Sequence, residues 1–386
     1  RRRRRHRRGR LLSALDRLTG DAQTFREKVW ASRVHHHRVD PAELAAYLSL
    51  EDADRLLTAT AIRTPSVRLV RDGSMLPEKG YTRHATITGR QLTGLVDART
   101  AVDEFRRGAT VVFQGLHRSF PPLVELIGEL ELELGHPCQA NAYLTPPGTQ
   151  GFAVHADTHD VFVLQTAGTK QWELHPIDGD AEAPLLEPGH VMYLPTGTPH
   201  AARAQDTVSL HITIGINQLT WRGLVERALA SLASEVPADH LPAGYLDDPH
   251  VLAHQLGRHL SDVADRLRGI DPDVEVQREV RRFLTSRPPR LEGALVDVLA
   301  LDAIDDDTVL RRRPGHACVL VDREDRLEVL LGDRTLDVPA RLRPALELVR
   351  GSDELRPRDL PLDGQSRLVL ARRLVREGLL TVRPGS

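Results

Sequence analysis

The sequence predicts an α+β chain in which helices precede and follow a central all-β barrel or sandwich. Three observations carry that reading. Seven short β-type runs follow one another between residues 137 and 215: QANAYLT, GFAVHAD, VFVLQT, KQWELH, VMYLPT, HAARA and VSLHITIG. Gly- and Pro-rich turns separate them, as in TPPGTQG, AGT, EPGH and PTGTP. From residue 221 the apolar residues recur instead at three- and four-residue intervals, the helical period.

The elements follow in order. Residues 11–60 read as helical, with Asp40 as a cap and Pro41 at the first helical position of AELAAYL. Residues 99–107 and 121–134 also read as helices, the second opened by Pro121-Pro122, and TVVFQG (110–115) between them reads as a strand. After the β-rich stretch come WRGLVERALASLA, PHVLAHQLGRHLSDVADRLRGI and VEVQREVRRFL, then SRPPR (286–290) as a linker. The last segment reads as a small α+β unit: ACVLVDREDRLEVLL as a hairpin turning at Arg323–Asp325, and RLVLARRLVREGLLTVRP as a helix running into a strand, a winged-helix-like pattern. The expected division is a basic tail (1–10), a barrel domain with N-terminal helices (11–220), a helical region (221–288) and a winged-helix-like domain (289–386).

Composition narrows the function classes. A chain of 386 residues exceeds one ordinary core, and 40% hydrophobic residues suit a folded chain. No stretch approaches the ~18 apolar residues of a membrane span. Two cysteines, Cys138 and Cys318, argue against a disulfide framework or a Cys-based zinc site and fit a reducing cytoplasm. Residues 1–10 hold eight of the 52 basic residues and no acid, leaving 44 basic against 54 acidic residues over the rest. The tip is therefore strongly basic and the body mildly acidic. Such a run reads as a solvated tail or as an arm for nucleic acid or the ribosome. Leu11–Gly20, interrupted by Asp16 and Arg17, is a poor signal-peptide core.

His155 and Asp157 stand two residues apart in GFAVHAD, so on a strand both point to one face. His200, in EPGHVMYLPTGTPH, arrives on another strand after a turn, a short apolar strand and a second turn. Two imidazoles and one carboxylate on a face leave coordination positions open, the arrangement of non-haem Fe(II) oxygenases. An H-x-D pair is weak by itself; its setting among short strands, with a later His, makes it specific.

Lys170, in GTKQW, is one of three lysines in the chain and follows Asp157 by one strand and a turn. A Lys inside a barrel needs an anion, and the distal carboxylate of 2-oxoglutarate is one. Asn141 and Tyr143, also at i and i+2, can donate hydrogen bonds to the same carboxylate, with Thr213 a weaker candidate. His159 can line the pocket, touch substrate or be purely structural. His211 is expected to face the barrel interior. His35, His36 and His37 read as surface residues, and His175 and His190 as turn residues.

The run NAYLTPPGTQGFAVHADTHDVFVLQTAGTKQWELH, followed by EPGHVMYLPTGTPHAA and preceded by GLHRSFPPL (115–123), resembles the JmjC-type ribosomal oxygenases of the cupin superfamily. The likeness is clearest over residues 80–220. It implies a double-stranded β-helix (cupin/JmjC barrel), a helical dimerisation region and a C-terminal winged helix. It also implies Fe(II) at His155, Asp157 and His200, and 2-oxoglutarate at Lys170 with Asn141, Tyr143 and Thr213. With O2, such a site hydroxylates a side chain of a ribosomal protein, commonly Arg or His. Two other readings stand beside it: a hydroxylase tailoring a ribosomally made peptide, and a DNA-binding regulator whose barrel senses a ligand.

Overall fold

The computed structural model describes residues 13–149, 154–176 and 180–383. The basic tip and part of the GFAVHAD run lie outside the described residues. The chain forms two compact units, residues 1–218 and 219–386.

In the first unit the strands are β1 (His35–Arg38), β2 (Val67–Arg71), β3 (Ser74–Met75), β4 (Thr82–Ile87), β5 (Arg90–Val96), β6 (Thr110–Phe113) and β7 (Cys138–Thr145). They continue with β8 (Asp160–Ala167), β9 (Lys170–Leu174), β10 (Leu185–Leu186), β11 (His190–Leu194), β12 (His200–Ala204) and β13 (Ser209–Ile216). Eight form one sheet in the order β1-β11-β8-β13-β7-β6-β2-β3; a smaller sheet, β10-β9-β12, makes the other wall. Every pairing in the two sheets is antiparallel.

Why these runs are strands is visible in how their faces divide. In β8, Phe162 and Leu164 join the large core shared with the N-terminal helices, whereas Val161 and Val163 join a second core with Trp172, Leu174 and Met192. The period-2 alternation of a strand thus survives in a run that looks uniformly apolar because both faces are covered. β13 sends Leu210, Ile212, Ile214 and Ile216 to the helices. Its alternate residues, His211, Thr213 and Gly215, line a cavity between the walls. β7 does the same, with Ala140 and Ala142 in the core and Gln139, Asn141 and Tyr143 at the cavity.

The helix Pro121–Leu134 packs Leu123, Leu126, Ile127 and Leu130 into that large core. Proline opens it where no amide donor is needed, and Gly135, at φ 71, closes it by donating its N–H to Glu131 O.

His35–His37, read as surface residues, are partly exposed and form strand β1, which pairs with β11 in the register His36↔Met192. One expectation changes: His190, read as a turn residue, opens β11 and is buried. Neither placement shows locally, because both depend on the β1–β11 pairing between segments far apart in the chain.

The second unit begins with helices Trp221–Ala233, Pro249–Arg268 and Pro272–Thr285. A hairpin of β15 (Val319–Arg323) and β16 (Arg326–Leu330) follows β14 (Leu310–Arg312). β17 (Thr335–Pro339) adds a third strand to the hairpin, and β18 (Glu354–Leu355) and β19 (Leu380–Val382) flank β14. The helix Gly364–Arg376 leads into β19, as its sequence suggests. Leu327, Val329, Leu346, Leu370 and Leu374 belong to this unit's own core.

Candidate metal and anion site

The cavity between the two walls measures about 340 Å³. His155, Asp157 and His200 all line it. Their nearest ligating atoms lie within 4.8 Å of one another, the one such group of three among the described residues. Asp157 Oδ2 is 3.8 Å from His200 Nε2, and the two imidazole centroids are 4.4 Å apart.

Each side chain is aimed by its backbone. His155 is not in a regular strand; it makes an isolated antiparallel bridge with His200. His200 opens β12 after a turn in which Gly197 N donates to Asp157 O at 2.9 Å and Thr198 N to Pro195 O at 3.2 Å. His200 Nδ1 lies 2.9 Å from Thr198 O. A carbonyl only accepts, so Nδ1 carries the hydrogen and Nε2 turns a lone pair to the cavity. Burial lowers the pKa of this imidazole and favours the neutral, ligating form. Two imidazoles and a carboxylate sharing one face suit an N/O-liganded ion with open positions.

Lys170 stands at the start of β9, 3% exposed, on the same cavity. Its Nζ donates to Thr145 Oγ1 at 3.3 Å, and among the described residues it has no carboxylate partner. Burial pushes its pKa down to about 7. An ammonium held in this way fits an anion entering the cavity.

The other residues singled out in sequence also come to this cavity. Asn141 Oδ1 accepts from Gly115 N at 2.9 Å, which fixes its amide. Tyr143 shares hydrogen bonds with Thr213 and Arg68, and burial raises its pKa. His211 stacks on Tyr143 with centroids 4.9 Å apart and rings 5° from parallel. Among the described residues its Nδ1 has no hydrogen-bond partner, and burial, with Lys170 nearby, drives its pKa well down, so it is neutral. His159 lines the cavity from a bend before β8. A Cβ on Gly215 would come within 2.6 Å of His159 Nε2, so the glycine leaves room for that ring. His175 stays in the segment after β9 and is not a cavity residue.

Sequence reasoning missed Arg68, Trp172 and Thr110. Arg68 enters the cavity from β2, a strand whose sequence VRLVR carries no feature beyond alternation. Trp172 stands two residues past Lys170, hence on the same face. It packs against His200 and His211 at centroid distances of 5.7 Å. Thr110, on β6, reaches Thr145 Oγ1 at 3.3 Å.

Comparison with known proteins agrees with this architecture. The JmjC domain family matches residues 129–224. The bifunctional lysine-specific demethylase and histidyl-hydroxylase NO66 of Branchiostoma floridae is 47% identical over 118 residues, 28% of this chain and 19% of that protein. Ribosomal oxygenase 1 of Homo sapiens is 29% identical over 325 residues, 66% of this chain and 50% of that protein. Ribosomal oxygenase 2 of Mus musculus is 27% identical over 304 residues, 70% and 63% respectively. The chain thus spans 19% to 63% of these relatives' lengths. The crystal structure of Escherichia coli ribosomal oxygenase YcfD shares the fold, with a TM-score of 0.53 and 19% identity over 95% of this chain and 99% of that one. A structure of the same Escherichia coli protein in complex with cobalt and 2-oxoglutarate also matches, with a TM-score of 0.53 and 18% identity over 95% of this chain and 99% of that one.

Proposed function

We propose, for a chain that belongs to the JmjC-domain ribosomal oxygenase family, that it is an Fe(II)- and 2-oxoglutarate-dependent oxygenase hydroxylating a side chain of a ribosomal protein, Arg or His. One observation carries this reading: a buried lysine that has no carboxylate partner among the described residues shares a cavity with a His-Asp-His group.

In this reading His155, Asp157 and His200 hold the metal and leave adjacent positions open for cosubstrate and O2. Fe(II) with 2-oxoglutarate supplies, when bound, hydroxylation of a C–H bond coupled to decarboxylation to succinate and CO2. The chain's own work is placement. Lys170 pairs with the distal carboxylate, and Thr145 holds its ammonium in position. Asn141, Tyr143 and Thr213 complete the polar surroundings of that anion. Trp172, Val161 and Val163 keep water from the floor of the site, which strengthens the ion pair.

The acidic balance outside residues 1–10 favours a basic protein surface as substrate. We extend the proposal to the rest of the chain. Residues 221–288 form a helical region that pairs two copies, and residues 289–386 form a winged-helix-like packing module. The work is done in the cytoplasm; no helix among the described residues is long and apolar enough to cross a membrane.

The test is turnover. Protein supplied with Fe(II), 2-oxoglutarate, O2 and a mixture of ribosomal proteins should form succinate and add one oxygen mass to one component. Salt-dependent DNA binding with no succinate formed would contradict the oxygenase and favour the ligand-sensing regulator.

A further inference from the structure

We propose that Asp160 is the positioning residue of the His155–Asp157–His200 site, a buried carboxylate that holds the turn presenting His200 against the segment carrying Asp157. The inference rests on the oxygenase reading above and goes beyond it to a residue outside the metal and anion groups.

Asp160 opens β8, three residues after Asp157, and is 1% exposed. No arginine or lysine pairs with it among the described residues. Its charge is met by four neutral donors instead. Oδ1 accepts from Thr196 N at 2.8 Å, Thr196 Oγ1 at 2.7 Å and Gln218 Nε2 at 2.7 Å. Oδ2 accepts from the Tyr193 hydroxyl. That hydroxyl in turn accepts from Ala31 N at 2.9 Å. Burial and the neighbouring carboxylate both raise the Tyr193 pKa, so the phenol keeps the hydrogen it donates.

Thr196 lies within the turn that delivers His200. Through Gly197 the same turn bonds the carbonyl of Asp157, and through Thr198 it orients the His200 ring. One carboxylate therefore ties the end of β11, the turn before β12 and the segment just after β13 to the start of β8. It thereby adds a side-chain tie to the main-chain bridge between His155 and His200. A buried carboxylate is retained against its desolvation only when such donors converge. Asparagine replaces one of the two accepting oxygens with an NH2 group and so takes away the acceptor of either the Tyr193 hydroxyl or the Thr196 and Gln218 donors.

The test is Mn(II) affinity, read by electron paramagnetic resonance on wild type, His155→Ala, Asp160→Asn and Thr196→Val, with far-UV circular dichroism to establish folding. Folded Asp160→Asn should bind Mn(II) about 10–100-fold more weakly, the range for partners that orient ligands. Thr196→Val, which keeps the backbone donor and loses the hydroxyl, should show a smaller loss. The Co(II) absorption spectrum of Asp160→Asn should shift, a signature that a purely structural role would not produce. Wild-type Mn(II) affinity in folded Asp160→Asn overturns the proposal. Should that variant not fold, unchanged affinity in Thr196→Val overturns it and reduced affinity supports it. Wild type and His155→Ala binding Mn(II) alike would instead sink the metal site, and this inference with it.

Discussion

His155 and His200 exchange both of their backbone hydrogen bonds, His155 N to His200 O at 3.0 Å and His200 N to His155 O at 2.8 Å. The pair is tied by main chain, which a side-chain substitution leaves in place. His155→Ala and His200→Ala should therefore remain folded, with metal-free melting within a few degrees of wild type. Their Mn(II) affinity should fall by more than about 100-fold, beyond the usual effect of a partner that only orients a ligand. Calorimetry and metal titration on the same samples check both halves.

Lys170 gives a prediction whose sign follows from its burial. Its folded pKa is pushed from 10.5 down to about 7. Between those values the unfolded chain holds a proton that the fold has shed, so the metal-free protein should gain stability as pH rises from 7 toward 10.5. Binding a dianion favours the charged lysine. 2-Oxoglutarate affinity should therefore weaken above pH 7, by up to about tenfold per unit. Lys170→Met should weaken the anion's binding, flatten the pH dependence and raise metal-free stability.

Gly168 precedes Lys170 by two residues at φ +61, and a Cβ there would lie 1.6 Å from Val208 O. Gly168→Ala must move the backbone of the β8–β9 turn. The left-handed conformation and the clash together should cost about 1–3 kcal/mol or more, measurable as a lower urea midpoint. The displacement of Lys170 should weaken 2-oxoglutarate binding as well.

Acid should loosen the unit through two buried histidines. His190, pushed down to about 4 chiefly by burial, places Nε2 3.1 Å from His36 Nδ1, and His36 Nε2 meets Glu182 at 3.1 Å. His211 is also driven well below its usual value by burial. The unfolded chain takes up protons near pH 6.5 that the fold refuses, so stability should fall as pH drops from 6.5 toward 4. His190→Gln should make that slope shallower in acid-unfolding curves monitored by fluorescence.

Much of the barrel was legible in sequence because its signals are local. The runs containing β7, β8, β9, β11, β12 and β13 are each bounded by turn residues, and the H-x-D spacing with a later His drew attention to three side chains that the fold brings together. What stayed hidden depends on distant chain. β1 is the polar run HHHR, a strand only because β11 offers its edge. The segment carrying His155 and Asp157 reads as a strand by alternation, yet among its described residues it makes a single bridge. Arg68 reaches the cavity because β2 lies beside β6. Asp160 looks like any charged residue at a strand end until its four donors, from residues 193, 196 and 218, are in place.

The measurement closest to the central claim is an anaerobic titration of the metal-free protein with Fe(II) and 2-oxoglutarate, followed by absorption, with His155→Ala and Lys170→Ala alongside. A keto acid chelated to iron gives a metal-to-ligand charge-transfer band. The account predicts that band in wild type, its loss in His155→Ala and its weakening in Lys170→Ala. No band in wild type with iron shown to be bound would contradict the account.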